Sequence, residues 1–346
     1  MRTKFQIEQF RNELLKWFDA CRRDLPWRRT RNPYAIWVSE IMLQQTRVAA
    51  VIPYYERFLT RFPDQQTLAA AREPDLLAHW AGLGYYYRAR NMQKAARQIE
   101  QVGRFPASYD EIRELPGVGD YTAAAIASIA FDLPHAVLDG NVIRVLSRVF
   151  EDRTDGGSTA GRKHFAGLAA DLLDHERAGA FNQAMMELGA TVCLPKSPQC
   201  LLCPVAKWCQ ARATGTQNEL PVKKTKAKSV AERRTIFWIE SEGRILVWQR
   251  PSDARLMPGF WELPEAAHLP SAKPGKTIGS FRHGITYHDY RFEILAADAP
   301  DSLGPCQWMS TSDLASAPVS TIFKKASRIM QNLRSGGRVL STTAGA

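Results

Sequence analysis

Four cysteines fall within seventeen residues as Cys193-x6-Cys200-x2-Cys203-x5-Cys209, close enough along the chain to converge on one centre. A loop that holds such a centre must fold around it. The other two cysteines, Cys21 and Cys306, stand alone and have no assignable role. This distribution differs from the disulfide framework of a small secreted domain and fits a clustered metal site in a reducing compartment. Thiolates satisfy zinc or an iron–sulfur cluster equally, so ligand chemistry alone leaves both open. Lys196 and Lys207 in the same loop suggest that it also faces phosphate.

The formal charge of +11 raises the concentration of polyanions around the chain and makes nucleic acid the leading partner class. The N-terminus, Met1-Arg2-Thr3-Lys4, has no apolar signal core, and no run approaches the roughly 18 apolar residues of a membrane span. A cytoplasmic, nucleoid-associated location without membrane partners is expected. With 346 residues and 45% hydrophobic content, two or more cores can form. Up to residue 212 apolar residues recur at three- and four-residue spacing, as in Ile7 to Phe18, Ala35 to Thr46, Leu76 to His79 and Tyr121 to Ala130. Residues 213–232, with Lys223, Lys224, Lys226 and Lys228, read as a basic linker. Residues 233–335 read as a smaller α+β domain. Thr235 to Glu240 and Arg244 to Gln249 form strands about Ser241-Glu242-Gly243, and Tyr287 to Leu295 forms another. The polar tail, 336–346, is expected to be disordered.

Three further motifs have chemical meaning. In Leu115-Pro116-Gly117-Val118-Gly119-Asp120-Tyr121, two glycines let backbone N–H groups approach a phosphate at a helix N-terminus, although such a turn alone can be an ordinary loop. In Asn32-Pro33-Tyr34 followed by Trp37 to Thr46, Pro33 starts a helix on which Glu40 and Gln44 share a face. Standing alone, that pair would read as a solvated helix surface. In Val137-Leu138-Asp139-Gly140-Asn141-Val142, Asp139 suits either a reactive carboxylate or a helix N-cap.

Together these segments resemble the endonuclease III and MutY superfamily of helix–hairpin–helix glycosylases, over nearly the whole chain to about residue 335. The resemblance implies a helical domain of two lobes over 1–212, with the hairpin at about 110–131 and a [4Fe–4S] loop at 193–209 held by Cys193, Cys200, Cys203 and Cys209. It also implies that Gly117 and Gly119 bind the DNA backbone. Lyases of this superfamily carry a lysine where this chain has Tyr121, so base removal without strand cleavage is expected.

The run from Leu25-Pro26-Trp27-Arg28 to Gln44-Gln45-Thr46 is similar to the catalytic helix of the MutY-type enzymes. By that likeness Glu40 is the acid that protonates the leaving adenine, which requires burial to raise its pKa. Asp139, ionised, stabilises the cationic sugar or bonds to it covalently, with Tyr121 and Asn141 as polar partners. Gln45 and Thr46 wedge beside the opposite base. Tyr85, in Gly82-Leu83-Gly84-Tyr85-Tyr86-Tyr87, is an inserted aromatic, with a core aromatic as the alternative. Arg28, Leu43 and Gln183 line the adenine pocket.

The C-terminal run Met257-Pro258-Gly259-Phe260-Trp261-Glu262-Leu263-Pro264 resembles a Nudix fold, but no closely spaced glutamate box follows it. The domain is expected to read 8-oxoguanine, with Phe281-Arg282-His283 in place of the family's Phe-Ser-His loop and His283 as the contact. The expected protein is a monomeric, monofunctional glycosylase acting on double-stranded DNA with adenine opposite 8-oxoguanine or guanine; no protein partner can be named. The alternatives are an endonuclease III-like enzyme for oxidised pyrimidines, a nucleotide pyrophosphohydrolase, and a non-catalytic damage-binding protein.

Overall fold

A computed structural model describes residues 4–222, 230–251, 253–254, 257–285 and 288–335. The four linker lysines, Tyr287 and the tail 336–346 lie outside the described residues. The chain divides into two compact units, Met1–Thr225 and Lys226–Ala346.

The first unit is helical: α1 (Lys4–Cys21), α2 (Pro33–Leu43), α3 (Val48–Arg61), α4 (Gln65–Ala70), α5 (Glu73–Trp80), α6 (Tyr87–Val102), α7 (Tyr109–Arg113), α8 (Asp120–Phe131), α9 (Gly140–Val149), α10 (Thr159–Leu172), α11 (Ala178–Thr191) and α12 (Gln210–Thr214). Short polar side chains start many of them. Asn32, Asp64, Ser108, Asp139 and Ser158 each accept a hydrogen bond from a backbone N–H in the first turn of the following helix.

Two apolar cores fill this unit. One gathers α2 to α8 around Trp37, Phe58, Phe62 and Trp80, and the other gathers α1 and α8 to α11 around Phe10, Phe18, Leu146, Phe165 and Phe181. Helix α8 belongs to both, with Ala123, Ile126 and Ala127 in the first core and Ala124 and Ala125 in the second. Its residues Thr122 to Ser128 are all buried, as a helix enclosed on every side requires. Small side chains make this possible. At Gly179 of α11 a Cβ would lie 2.4 Å from the Ser128 carbonyl oxygen, so the two helices touch backbone to backbone.

Helix α2 ends at Leu43, short of the Thr46 that its apolar spacing suggested. Gln44 leaves helical geometry and Gln45 adopts φ 59°, a left-handed conformation that terminates the helix.

The second unit contains β1 (Val230–Trp238), β2 (Glu240–Ser241), β3 (Arg244–Gln249), β4 (Trp261–Glu262), β5 (Pro274–Ile285), β6 (His288–Ala297), β7 (Cys306–Ser310), α13 (Thr311–Ser316) and α14 (Thr321–Arg334). One sheet has the order β1-β6-β5, with β1 parallel and β5 antiparallel to β6; the other has β2-β3-β4 with β7 also paired to β3. The β2–β3 turn has positive φ at Glu242 and Gly243, the two-residue hairpin geometry that matches strand twist. Ile236, Trp238, Val247, Phe281, Phe292 and Phe323 form its core. No helix among the described residues is long and apolar enough to cross a membrane.

Candidate active site

Glu40 lies in the last full turn of α2, a helix buried from Tyr34 to Met42. Its residue is only 5% exposed, and its Oε2 has no hydrogen-bond partner. Burial therefore raises its pKa from the ordinary 4.5 to about 7; a hydrogen bond with Tyr121 opposes the rise and the Asp139 charge adds to it. Tyr121 opens α8, and its hydroxyl lies 3.2 Å from Met186 Sδ on α11. Burial holds the Tyr121 phenol in its neutral form, so it can donate to a carboxylate.

Asp139 caps α9, its Oδ1 accepting from the Val142 N–H at 2.7 Å. Its Oδ2 accepts from Asn141 Nδ2 at 2.9 Å. Asp139 is thus the helix N-cap, and it also lines the cavity described below. The loop that delivers it is tied to α11: Asn182 accepts from the Val137 N–H and donates to the His135 carbonyl and Ser128 Oγ. Beyond Asn141, Arg144 donates to Asn141 Oδ1 at 2.8 Å, to the Gly189 carbonyl at 2.8 Å and to the Cys193 carbonyl at 2.8 Å. The aspartate and the cysteine loop thus share one hydrogen-bonded chain.

A single cavity is lined by Arg28, Glu40, Leu43, Thr46, Tyr121, Asp139, Asn141 and Gln183. It also contains Arg23, Met186 and Glu187, which the sequence did not point to. Glu187 is buried in α11 and accepts from Arg23 Nε and Nη2 at 2.7 Å and from Arg28 Nη2 at 2.8 Å. Although burial opposes ionisation, these guanidinium bonds hold its carboxyl at about 2. One pocket therefore carries an acid that keeps its proton near neutrality and another that remains ionised.

Gln45, Tyr85, Gly117 and Gly119 lie outside this cavity. Gln44 turns away as well, its amide donating to Thr122 Oγ1 at 3.3 Å. Tyr85 is 49% exposed, which removes the core-aromatic alternative. Gly117 adopts φ +82°, and a Cβ there would come within 2.9 Å of Asn91 Cβ, so this turn requires glycine. Gly119 is the N-cap of α8 and has open space around it.

Cys193, Cys200, Cys203 and Cys209 line a second cavity. Arg148, 1% exposed, donates to Cys193 Sγ at 3.2 Å and to the Leu194 carbonyl at 2.7 Å, while Cys209 Sγ donates to the Arg148 carbonyl. Among the described residues no three His, Cys, Asp or Glu side chains converge where one metal ion would fit. The four thiols line this one cavity and present an all-sulfur donor set, the kind that zinc and iron–sulfur clusters both take.

In the second unit, Phe281-Arg282-His283 lies on strand β5 rather than in a loop, paired with Phe292, Arg291 and Tyr290 of β6. Phe281 is buried against Phe292, and Arg282 forms an ion pair with Asp289. His283 Nδ1 is 3.4 Å from Lys325 Nζ on α14; burial, and then that cation, lower its pKa.

The helical unit and its site define a base excision DNA repair protein, and the model of the HhH-GPD superfamily of such proteins matches residues 38–167. The unit also resembles the solved structure of a thermostable thymine-DNA glycosylase, with a TM-score of 0.57 and 29% identity over 62% of this chain and 100% of that one. The adenine DNA glycosylase of Mus musculus is 35% identical over 96% of this chain and 80% of its own length. That of Homo sapiens is 35% identical over 96% of this chain and 76% of its own. The chain belongs to the adenine DNA glycosylases.

Proposed function

We propose that the protein hydrolyses the N-glycosidic bond of adenine opposite 8-oxoguanine or guanine in double-stranded DNA, without cutting the strand. The observation that carries this reading is that one cavity holds both Glu40, whose burial favours its protonated form, and Asp139, whose carboxylate accepts hydrogen bonds from Asn141 and the Val142 N–H. Glu40 gives its proton to adenine N7, so the base departs neutral while C1′ becomes cationic. Asp139 stabilises that cation from the N-terminus of α9, where the helix dipole favours its negative charge. Water then adds to C1′, and its released proton restores Glu40. Among the described residues no lysine lines the cavity, and Tyr121 offers no amine, so nothing there supports a Schiff base or the lyase alternative.

Arg23, Arg28 and Glu187 at the cavity wall offer fixed donors and acceptors for the edge of a flipped base. The cysteine cavity would hold a [4Fe–4S] cluster through its four thiolates; bound there, the cluster would supply a structural cross-link for the loop. The C-terminal unit is read as the module that recognises the oxidised purine, with His283 as the contact, and the protein as a monomer acting near the nucleoid. The test is incubation with a duplex holding one adenine opposite 8-oxoguanine, followed by a denaturing gel with and without alkali. Breakage only after alkali is the expected result, and release of a different base would overturn the assignment.

A further inference from the structure

Arg88, at the start of α6, is 2% exposed and has no carboxylate ion-paired with it among the described residues. Its charge is instead met by backbone oxygens. Nη1 donates to the carbonyls of Ile41 at 2.8 Å, Met42 at 3.1 Å and Gln44 at 2.6 Å, at the C-terminus of the helix that carries Glu40. Nη2 donates to the carbonyls of Leu83 at 3.1 Å and Gly84 at 3.2 Å, with Thr46 Oγ1 at 3.5 Å. The guanidinium also lies 5.4 Å from the centre of the Tyr85 ring.

One planar fork therefore joins two turns that are about forty residues apart in sequence. Each turn carries an exposed non-glycine residue in the left-handed region: Gln45 at φ 59° and Tyr85 at φ 48°. Side chains rarely adopt this geometry unless neighbours impose it. Two of the carbonyls held by Arg88, those of Gln44 and Gly84, are the ones immediately before these residues. An arginine suits this task because its two amino groups are held in a fixed relation; a lysine has one point charge to share.

We propose that Arg88 is a positioning residue that locks the Gln45 turn and the Tyr85 turn into one rigid two-pronged edge, so that both prongs enter the duplex together as adenine leaves the stack. This rests on the reading that these two residues wedge DNA. The clamp acts on the flipping step and leaves proton transfer at Glu40 to the cavity itself.

The test compares Arg88→Met and Arg88→Lys with the unaltered protein in single-turnover excision from two substrates: a fully paired duplex, and one in which the adenine sits in an unpaired bulge. On the paired duplex the rate should fall on the order of ten- to a hundredfold, the range expected when a reacting group is misplaced by about 1 Å. On the bulge, where little unstacking is required, the loss should be only a few-fold. A 2-aminopurine beside the adenine should report slower flipping. Equal losses on both substrates would mean a merely structural role and overturn the proposal. Gln45→Ala and Tyr85→Ala, made singly and combined with Arg88→Met, separate the two readings. If the wedge variants leave flipping unchanged, the wedge reading fails and the clamp with it. If they slow flipping but add independently to Arg88→Met, only the clamp fails. Should Arg88→Met not fold, Arg88→Lys carries the same comparison, because a single ammonium cannot hold both turns.

Discussion

Asn141 donates through Nδ2 to the Asp139 carboxylate at 2.9 Å while its own Oδ1 accepts from Arg144 at 2.8 Å. The amide is thereby held in one orientation, with its NH2 group facing the carboxylate. Asn141→Asp replaces that donor by a second acceptor and brings two like charges together. Single-turnover adenine excision should fall by about ten- to a hundredfold, with DNA affinity nearly unchanged in a gel-shift titration. An unaltered rate would show that Asp139 needs no such partner.

The acid form of Glu40 sets a pH profile. Its folded pKa, about 7, lies above the ordinary 4.5, so excision should decline as pH rises through 7, by about tenfold for each further pH unit once the group is largely ionised. The same displacement fixes the sign of its effect on stability. Below 4.5 the group is protonated whether folded or not; above 7 the fold must bury a charge, at about 1.4 kcal/mol for each pH unit that separates the folded from the unfolded pKa. Glu40→Gln should therefore abolish turnover, raise Tm relative to the unaltered protein at pH 8, and leave Tm nearly unchanged at pH 4. Thermal melts at the two pH values check this.

Glu187 has the opposite sign. Its folded pKa, about 2, is below the ordinary 4.5, so its contribution to stability is present above 4.5 and is lost as pH falls toward 2. Glu187→Gln would leave Arg23 and Arg28 without their shared anion. Breaking such a buried pair typically costs roughly 3–5 kcal/mol, and denaturant unfolding at pH 7 should show a loss of that order. A change below about 0.5 kcal/mol would place the pair among surface ion pairs of little energetic weight.

Tyr121 lines the cavity together with Glu40 and Asp139. Tyr121→Lys should give a covalent protein–DNA adduct that borohydride traps, together with strand breakage in the absence of alkali. Lack of any trapped adduct would mean that the first turn of α8 does not face C1′ in the complex.

Much of the site was legible because its residues are neighbours in sequence: Pro33 to Leu43 announces its own helix, and Asp139 and Asn141 sit two residues apart. Glu187 was not legible, since its partners Arg23 and Arg28 lie 164 and 159 residues away. One signal was available. Glu187 follows Gln183 by four residues on α11, so both occupy one helical face. Arg88 was missed for a related reason, because an arginine in Tyr87-Arg88-Ala89-Arg90 reads as solvated until its backbone acceptors are seen. In the second unit, β5 was missed because its first residues, Pro274-Gly275-Lys276, have poor strand propensity and the strand is paired through register shifts to β6. Conversely, Ala35 to Thr46 overran its helix because apolar spacing carries no information about a left-handed stop at Gln45.

The sharing of α8 between two cores also constrains how the helical unit comes apart. Neither lobe can lose its packing without stripping one side of the same twelve-residue helix, so the lobes form one cooperative unfolding unit. Amide hydrogens of α8 should accordingly exchange only through global opening, and Tyr121, in its first turn, inherits that protection. Chemistry at the seam is thus anchored to the part of the molecule that opens last.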